Sequence, residues 1–459
     1  MKNEKLRQSF FSKKTSTKGY SSLWWIVVAC SLLMMSVFFI SCVYENEPGI
    51  IYPAMVIDTT GMPRITDITP SVTNGGAIGG IREIKIIGTN LGLRNGDTNW
   101  IYFGGVHPII KDIQNSSITI YRPKLSNDNY NKSIDVNVTD PKLSIKSSNF
   151  QYMVESPGVV VGDYSAFNSE LRAIDFDNQG NLYALFAAKT LLKNDFAGVS
   201  TFTALTSANL LQAEYASTSA LCFGPGSNGR TLFIADGQSH IARIAIFDTL
   251  NSKNKPVLLP VPTVVTALDF DENGNMYTAG NSNLYVADTS VGNSTAPTFT
   301  SISGYAGVNK LRKIRIFKES SSGNQYIYIA DSMHVWKGQL SGGSLVMGTP
   351  IVDISTHTDL NGRYINSFDI DISGSIFLCL KNDPNYSLFL VETDGSITPF
   401  YKDPTILPNT VDQLVWGNGK YLYLISGSLR SGSSYVSGRV YRMTLDRNGA
   451  PFGGRTFIH

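Results

Sequence analysis

The sequence predicts an all-β chain, an N-terminal β-sandwich followed by a six-bladed β-propeller, and three observations carry that prediction. A short motif recurs: Ile174-Asp-Phe-Asp-Asn-Gln-Gly-Asn-Leu-Tyr183 returns as Leu268-Asp-Phe-Asp-Glu-Asn-Gly-Asn-Met-Tyr277 and as Phe368-Asp-Ile-Asp-Ile-Ser-Gly-Ser-Ile-Phe377. Looser copies open at Leu221, Ile314 and Leu414, so successive openings lie 47, 47, 46, 54 and 46 residues apart. Each copy reads as a short apolar strand, a polar turn closed by Gly and a second apolar strand. A period in the forties made of such units is the signature of propeller blades. Upstream of the repeats, Ile134, Val136 and Val138 alternate with polar residues, the period of a half-buried strand. The composition, 42% hydrophobic but 16% charged with 41 Gly, 22 Tyr and 23 Phe, suits strands joined by uncharged turns.

At 459 residues the chain is too long for one ordinary core, and two folded domains behind a leader are expected. Residues 1–20 carry Lys2, Lys5, Arg7, Lys13, Lys14 and Lys18 against Glu4 alone, so the net charge of +2 becomes about −3 without them. No basic field remains for nucleic acid, which needs clustered Lys and Arg. From Leu23 to Ile40 the chain is apolar and uncharged, and Ser41 and Cys42 follow. A positive start, an apolar run and a small residue before Cys is the layout of an export signal. The run is also nearly long enough to span a bilayer as an uncleaved anchor. The layout resembles bacterial lipoprotein signals, with Phe39 where these usually carry Leu. The resemblance implies a signal peptide over 1–41, lipidation of Cys42, a tether over 42–61, and attachment to the outer membrane through the lipid. Val43-Tyr-Glu-Asn-Glu47 resembles the acidic tag of lipoproteins that face the cell exterior, and reads equally as a solvated tether.

Residues 62–153 read as short strands separated by Gly and Pro: Pro63–Pro70, Ile84–Leu91, Trp100–Gly105, Ser117–Pro123, Ile134–Thr139 and Asn149–Tyr152. Strands at this spacing predict a sandwich of about ninety residues. The order Pro-x-Ile-x-x-Ile-x-Pro, Ile-x-Ile-x-Gly-x-Asn-Leu, Ile-Tyr-Phe-Gly-Gly and a closing Phe-x-Tyr resembles the IPT/TIG immunoglobulin-like domain. The resemblance implies a spacer that raises the next domain off the membrane. Gly88 is expected where the chain bends, and Gly104 and Gly105 at a hairpin turn.

Residues 154–459 hold the six blades. A closed ring needs its last blade completed, and either Val159–Val161 or Thr456–Ile458 is placed to supply the missing strand. The strands Leu232-Phe-Ile-Ala-Asp236, Leu284-Tyr-Val-Ala-Asp288 and Tyr328-Ile-Ala-Asp331 resemble the NHL repeat, although the last two blades lack its Asp. That resemblance implies architecture more than function, because propellers serve as binding platforms, sensors and enzymes.

The chemistry is sparse. Asp269, Asp271, Asn273 and Gly274 copy half a calcium loop, but Gly280 stands where the bidentate acid belongs, so Asx-type turns are expected. Gly224–Thr231 is one residue off a phosphate loop, with Arg230 for Lys and no helix to follow, and reads as a hairpin turn. Cys30 lies in the leader, while Cys222 and Cys379 fall in different blades and read as buried thiols. None of the five histidines pairs with another at metal spacing, so neither metal nor cofactor is expected, and no catalytic residue is assigned. His240 follows Asp236 and His334 follows Asp331 at equivalent blade positions, so these loops converge if they share one mouth. Trp336 offers a face on which a sugar ring stacks, and equally fits between blades, while Tyr386, Tyr401 and Tyr435 lie in or beside loops. The candidate ligand-binding residues are therefore Trp336, His240, His334, Asp236 and Asp331.

The layout resembles accessory surface lipoproteins that work beside outer-membrane nutrient importers. It implies non-catalytic binding of an extracellular ligand by the propeller, a glycan first and a peptide second, with an importer complex as further partner. A propeller hydrolase or lyase acting on a polysaccharide or lactone is the competing expectation. A protein–protein scaffold or adhesin is the third.

Overall fold

The computed structural model describes residues 61–451, except 71–75, 93–99, 141–144, 165–168, 179, 188–190, 195–202, 206–218, 225–230, 236–239, 245–256, 282, 290–296, 304–309, 320–321, 342–343, 382, 384, 387, 402–406, 408–410, 418, 427–428, 432–433 and 437. Cys42, the leader and the tether lie outside these residues, as do Asp236 and Thr456–Ile458.

Among the described residues from Val159 onward the chain forms a two-stranded ribbon of Leu429–Ser431 and Ser434–Val436, and six sheets with a main path of four strands each. Their first strands are Leu171–Phe176, Ala220–Gly224, Ala267–Phe270, Lys313–Lys318, Tyr364–Ile370 and Gln413–Trp416. Each first strand packs against the first strand of the next sheet, and the sixth packs against the first, so the sheets are blades around one axis. Within a blade the second strand pairs antiparallel with the first, as Leu182–Phe186 does with Leu171–Phe176. Every residue of Leu182–Phe186 is buried, because a blade is covered by a neighbour on both faces. This is why the second strands read as apolar runs rather than alternating ones.

The ring closes through Val159–Asp163, which pairs antiparallel with Arg439–Thr444 and becomes the outermost strand of the sixth blade. Of the two closures the sequence allows, the N-terminal one is used. The turns after the first strands of blades one, three and five share a glycine in the left-handed region, at Gly180, Gly274 and Gly374. Side chains there would be strained, which explains why Gly recurs in the motif. Cys222 and Cys379 are buried thiols that form no disulfide.

Ahead of the ring, two sheets share one apolar core that includes Ile65, Ile86, Phe103, Ile118, Val136 and Tyr152. One runs in the order Arg64–Thr69, Glu83–Thr89, Ser117–Tyr121, Ile110–Gln114. The other runs Gly76–Ala77, Phe150–Val154, Ser133–Asp140, Trp100–Phe103, with Ile145–Lys146 added on Ser133–Asp140. Gly104 and Gly105 both have positive φ and turn the chain after Trp100–Phe103.

These sheets are seated on the seam between the fifth and sixth blades. The Gly80 N–H donates to the Thr444 carbonyl at 2.6 Å, and the buried Tyr401 hydroxyl donates to the Gly79 carbonyl. Arg82 bonds Thr398 at 3.0 Å and pairs with Glu392 at 3.4 Å. A Cβ at Gly80 would come within 2.4 Å of Leu445, so the close approach requires glycine. Tyr401, read from the sequence as a loop aromatic, belongs to this seat.

Candidate functional site

The first strands line a pocket at the axis, about 170 Å³ in volume, that opens where these strands begin. Its rim is set by Arg172, Ser219, Thr266, Arg312, Asn366 and Asp412, one from each blade. Arg172 and Asn366 sit at register shifts, between Leu171 and Ala173 and between Ile365 and Ser367. An extra residue in one strand re-aims its side chain, and here it turns two polar groups into the mouth. Deeper, one slot per blade faces the axis: Asp175, Cys222, Asp269, Arg315, Asp369 and Val415.

The three aspartates of this inner ring reach the following blade. Asp175 accepts the Phe223 N–H at 2.7 Å, Asp269 the Ile316 N–H at 2.7 Å, and Asp369 the Trp416 N–H at 2.9 Å. Adjacent innermost strands do not share a ladder, so their N–H groups need such acceptors. Arg315 lies between two of them, donating to Asp369 Oδ1 at 3.0 Å and to Asp269 Oδ2 at 3.2 Å. Its remaining N–H groups reach the Ile316 carbonyl at 3.1 Å and the Ala450 carbonyl at 2.9 Å. The guanidinium is 1% exposed and tolerable there only because these partners satisfy it.

The Ala450 contact identifies the floor. After the last strand the chain crosses beneath blades four to six: the Ile372 N–H donates to the Asn448 carbonyl at 2.9 Å, and the Ala450 N–H to the Ile370 carbonyl at 2.9 Å. Arg447 pairs with Asp371 at 3.1 Å, and Gly449 lies flat on Trp416, where a Cβ would come within 2.5 Å of the indole. Residues 446–451 thus cover the far side of Arg315, and the pocket is entered from the rim.

Two ionisable groups in the pocket are displaced in opposite directions. Burial pushes the Lys313 ammonium below the usual lysine range, against the pull of Asp369, whose Oδ2 is 3.9 Å away. Its Nζ donates to the Leu414 carbonyl across the pocket. Asp412 reaches the water of the mouth, yet the surrounding protein pushes its carboxyl upward, with the Asn366 amide at 3.1 Å working against that. An amine whose pKa is lowered beside a carboxyl whose pKa is raised is the kind of pair from which acid–base chemistry is built.

Of the residues expected from the sequence, Asp331, His334 and Trp336 lie outside the pocket lining. Asp331 caps its own turn, accepting the Met333 and His334 N–H groups at 2.7 and 2.8 Å. His334 is held between Asp331 at 3.2 Å and Asp353 at 3.5 Å, with its ring 4.8 Å from Trp336. That turn adjoins the rim, since the Arg312 N–H donates to the Ala330 carbonyl at 2.8 Å, but neither residue lines the pocket. Trp336 is 7% exposed and packs with Ile314, Ile329 and Leu345, so it presents no free face for a sugar. The same apolar cluster also holds Tyr277, Ala279 and Leu284 of the third blade. Asp236 lies outside the described residues, and of His240 only the backbone is described, paired with Pro260. Asp177, Asp271 and Asp371 make the expected Asx-type turns. Asp271, for instance, accepts the Asn273 and Asn275 N–H groups at 2.9 and 2.8 Å. Among the described residues no group of three or more His, Cys, Asp or Glu is arranged to hold a metal ion. Sequence reasoning missed Arg172, Arg312, Lys313, Arg315, Asn366 and Asp412. The available signal was Arg315, a cation between two isoleucines in the slot where three other blades carry Asp.

No family model matches the chain, and no curated protein matches it. Among solved structures it is similar to a luciferin-regenerating enzyme, at 14% identity and a TM-score of 0.45, covering 66% of this chain and all of that one. A putative gluconolactonase is similar at 9% identity and 0.44, covering 64% and 93%. The calcium-binding protein regucalcin of Agrobacterium tumefaciens is similar at 13% identity and 0.43, covering 64% and 98%. At these identities and scores the likeness is one of general shape and carries nothing about chemistry.

Proposed function

We propose that the propeller binds a small, hydroxyl-rich ligand in its mouth, with the terminal sugar of an extracellular glycan as the first choice. The observation that carries this is the floored pocket itself. Its walls offer matched cations and carboxylates with the amides of Asn366 and Gln413 and the hydroxyls of Ser219, Thr266 and Ser367. At about 170 Å³ it is smaller than the ~300–1,000 Å³ of sites for drug-sized ligands, which suits a chain end rather than the flank of a polymer. The leader supports export and a lipid anchor at Cys42 in the outer membrane, facing outward. The strand order and motifs of residues 62–153 support an IPT/TIG-like, immunoglobulin-type module, and the blade wording an NHL-like ring. Service beside a nutrient importer follows from that layout alone.

A second reading, a hydrolase or lyase, is favoured by one observation: Lys313 and Asp412 face the same pocket with pKa values pushed toward each other, the lysine's down and the carboxyl's up. One experiment separates them. Titrate the protein calorimetrically with oligosaccharides from a polysaccharide panel and analyse the same mixtures for products. Heat without products supports binding, new products support turnover, and silence across the panel overturns the glycan choice.

A further inference from the structure

The outer face of the second N-terminal sheet is built unlike an ordinary solvated surface. Alternation along Trp100–Phe103 sends Ile101 and Phe103 into the core and leaves Trp100 and Tyr102 outside, with Trp100 49% exposed. Cross-strand from them lie Thr139 and Asn137. Ser133, Asp135, Asn137 and Thr139 share that outer face, since Ile134, Val136 and Val138 point inward. With Tyr102, Gly104, Gly105 and Lys146 they line an open groove of about 630 Å³.

The groove is organised before any ligand arrives. Asp135 accepts from the amides of Asn149, at 2.7 Å, and Gln151, and Ser133 donates to the Gln151 carbonyl oxygen at 2.8 Å. The Tyr102 ring is backed by His107, 5.7 Å away, whose Nδ1 is bonded to the Ile101 carbonyl at 2.7 Å. Fixed side chains lose little freedom on binding. One acid, Asp135, and one base, Lys146, leave the groove near neutral, which disfavours nucleic acid and anionic lipid and suits an uncharged polyhydroxylated chain. Aromatic faces take the apolar faces of sugar rings, and amides, hydroxyls and a carboxylate take their hydroxyls.

From this we infer that the Trp100–Tyr102 face is a second binding site, for the flank of a neutral polysaccharide chain. It is independent of the propeller mouth, and its volume exceeds that of the mouth as a site for several sugar rings should. The test is retardation of the full-length protein in native gels containing laminarin, xyloglucan, xylan, galactomannan or pullulan. At least one polysaccharide is expected to retard the wild type. W100A and Y102A are each expected to weaken that retardation about tenfold, W100F to keep part of it, and V346A, at another exposed apolar residue, to leave it unchanged. Melting temperatures of the four variants establish that they are folded. Retardation that survives both W100A and Y102A overturns the inference, as does the absence of retardation by all five polysaccharides.

Discussion

Blades one, three and five carry an aspartate in the inner slot of the first strand, Asp175, Asp269 and Asp369, whereas blades two, four and six carry Cys222, Arg315 and Val415 there. In every odd blade the carboxylate accepts an N–H from the even blade that follows. The return junctions, even to odd, carry no aspartate clip among the described residues, although between six and one the Gln413 amide oxygen accepts the Ile174 N–H at 3.3 Å. Phe233 packs 4.8 Å from Phe270 between blades two and three, Arg315 pairs with Asp369 between four and five, and Phe176 sits 4.3 Å from Tyr423 between six and one. The ring is therefore three clipped pairs. The even slots, freed from clipping, are where the axis acquires its cation and its apolar wall.

This contrast is broken hardest at Asp369, which serves both kinds of junction. D369A leaves Arg315 short of a partner and the Trp416 N–H without its acceptor, and is expected to cost about 3–5 kcal/mol in denaturant unfolding. V415A, in the same slot of the next blade, should cost about 1–3 kcal/mol from its cavity alone. Equal costs would mean that the clip is not special. Next comes Asp175, which accepts the Phe223 N–H at 2.7 Å. D175A is expected to cost about 1–3 kcal/mol, and C222A about 1 kcal/mol or less.

The second aspartate of each motif sharpens the comparison, because it acts within its own blade. D271A removes the acceptor of the Asn273 and Asn275 N–H groups and of the Asn275 amide at 2.7 Å. Its expected cost is about 1–2 kcal/mol, with no change in ligand binding at the mouth.

The smallest effects are those of pH. Asp412 has a folded pKa above the ordinary 3.8, so the stability it contributes is present below 3.8 and lost as pH rises through the folded value. Lys313 has a folded pKa below the ordinary 10.5, so its contribution is present above 10.5 and lost as pH falls through the folded value. D412N should therefore raise the melting temperature slightly at neutral pH, with the gain vanishing in acid. A gain that persists below pH 3.8 contradicts the assignment.

Much of the ring was legible because each blade is local: strand, Gly turn and second strand lie within a dozen residues, and hydrophobic runs report them directly. The closing strand was legible only as one of two candidates, Val159–Val161 or Thr456–Ile458, because both are short apolar stretches at the ends of the ring. The pocket was not, because each blade gives it single residues some fifty positions apart, and two of these, Arg172 and Asn366, owe their direction to register shifts that no pattern announces. Nor did Arg447–Pro451 read as a floor, since its bonds run through backbone carbonyls. The seat of the N-terminal sheets depends on Gly79, Gly80 and Tyr401, which read in isolation as turn and loop.

The central claim is that the mouth of the ring is a ligand site. It is tested most directly by calorimetric titration of the wild type and of K313M, side by side, with the oligosaccharide that gives the largest heat. The account expects saturable one-site binding to the wild type and at least a tenfold loss in K313M with an unchanged unfolding transition. Equal affinity in the two proteins would place the ligand elsewhere and contradict it.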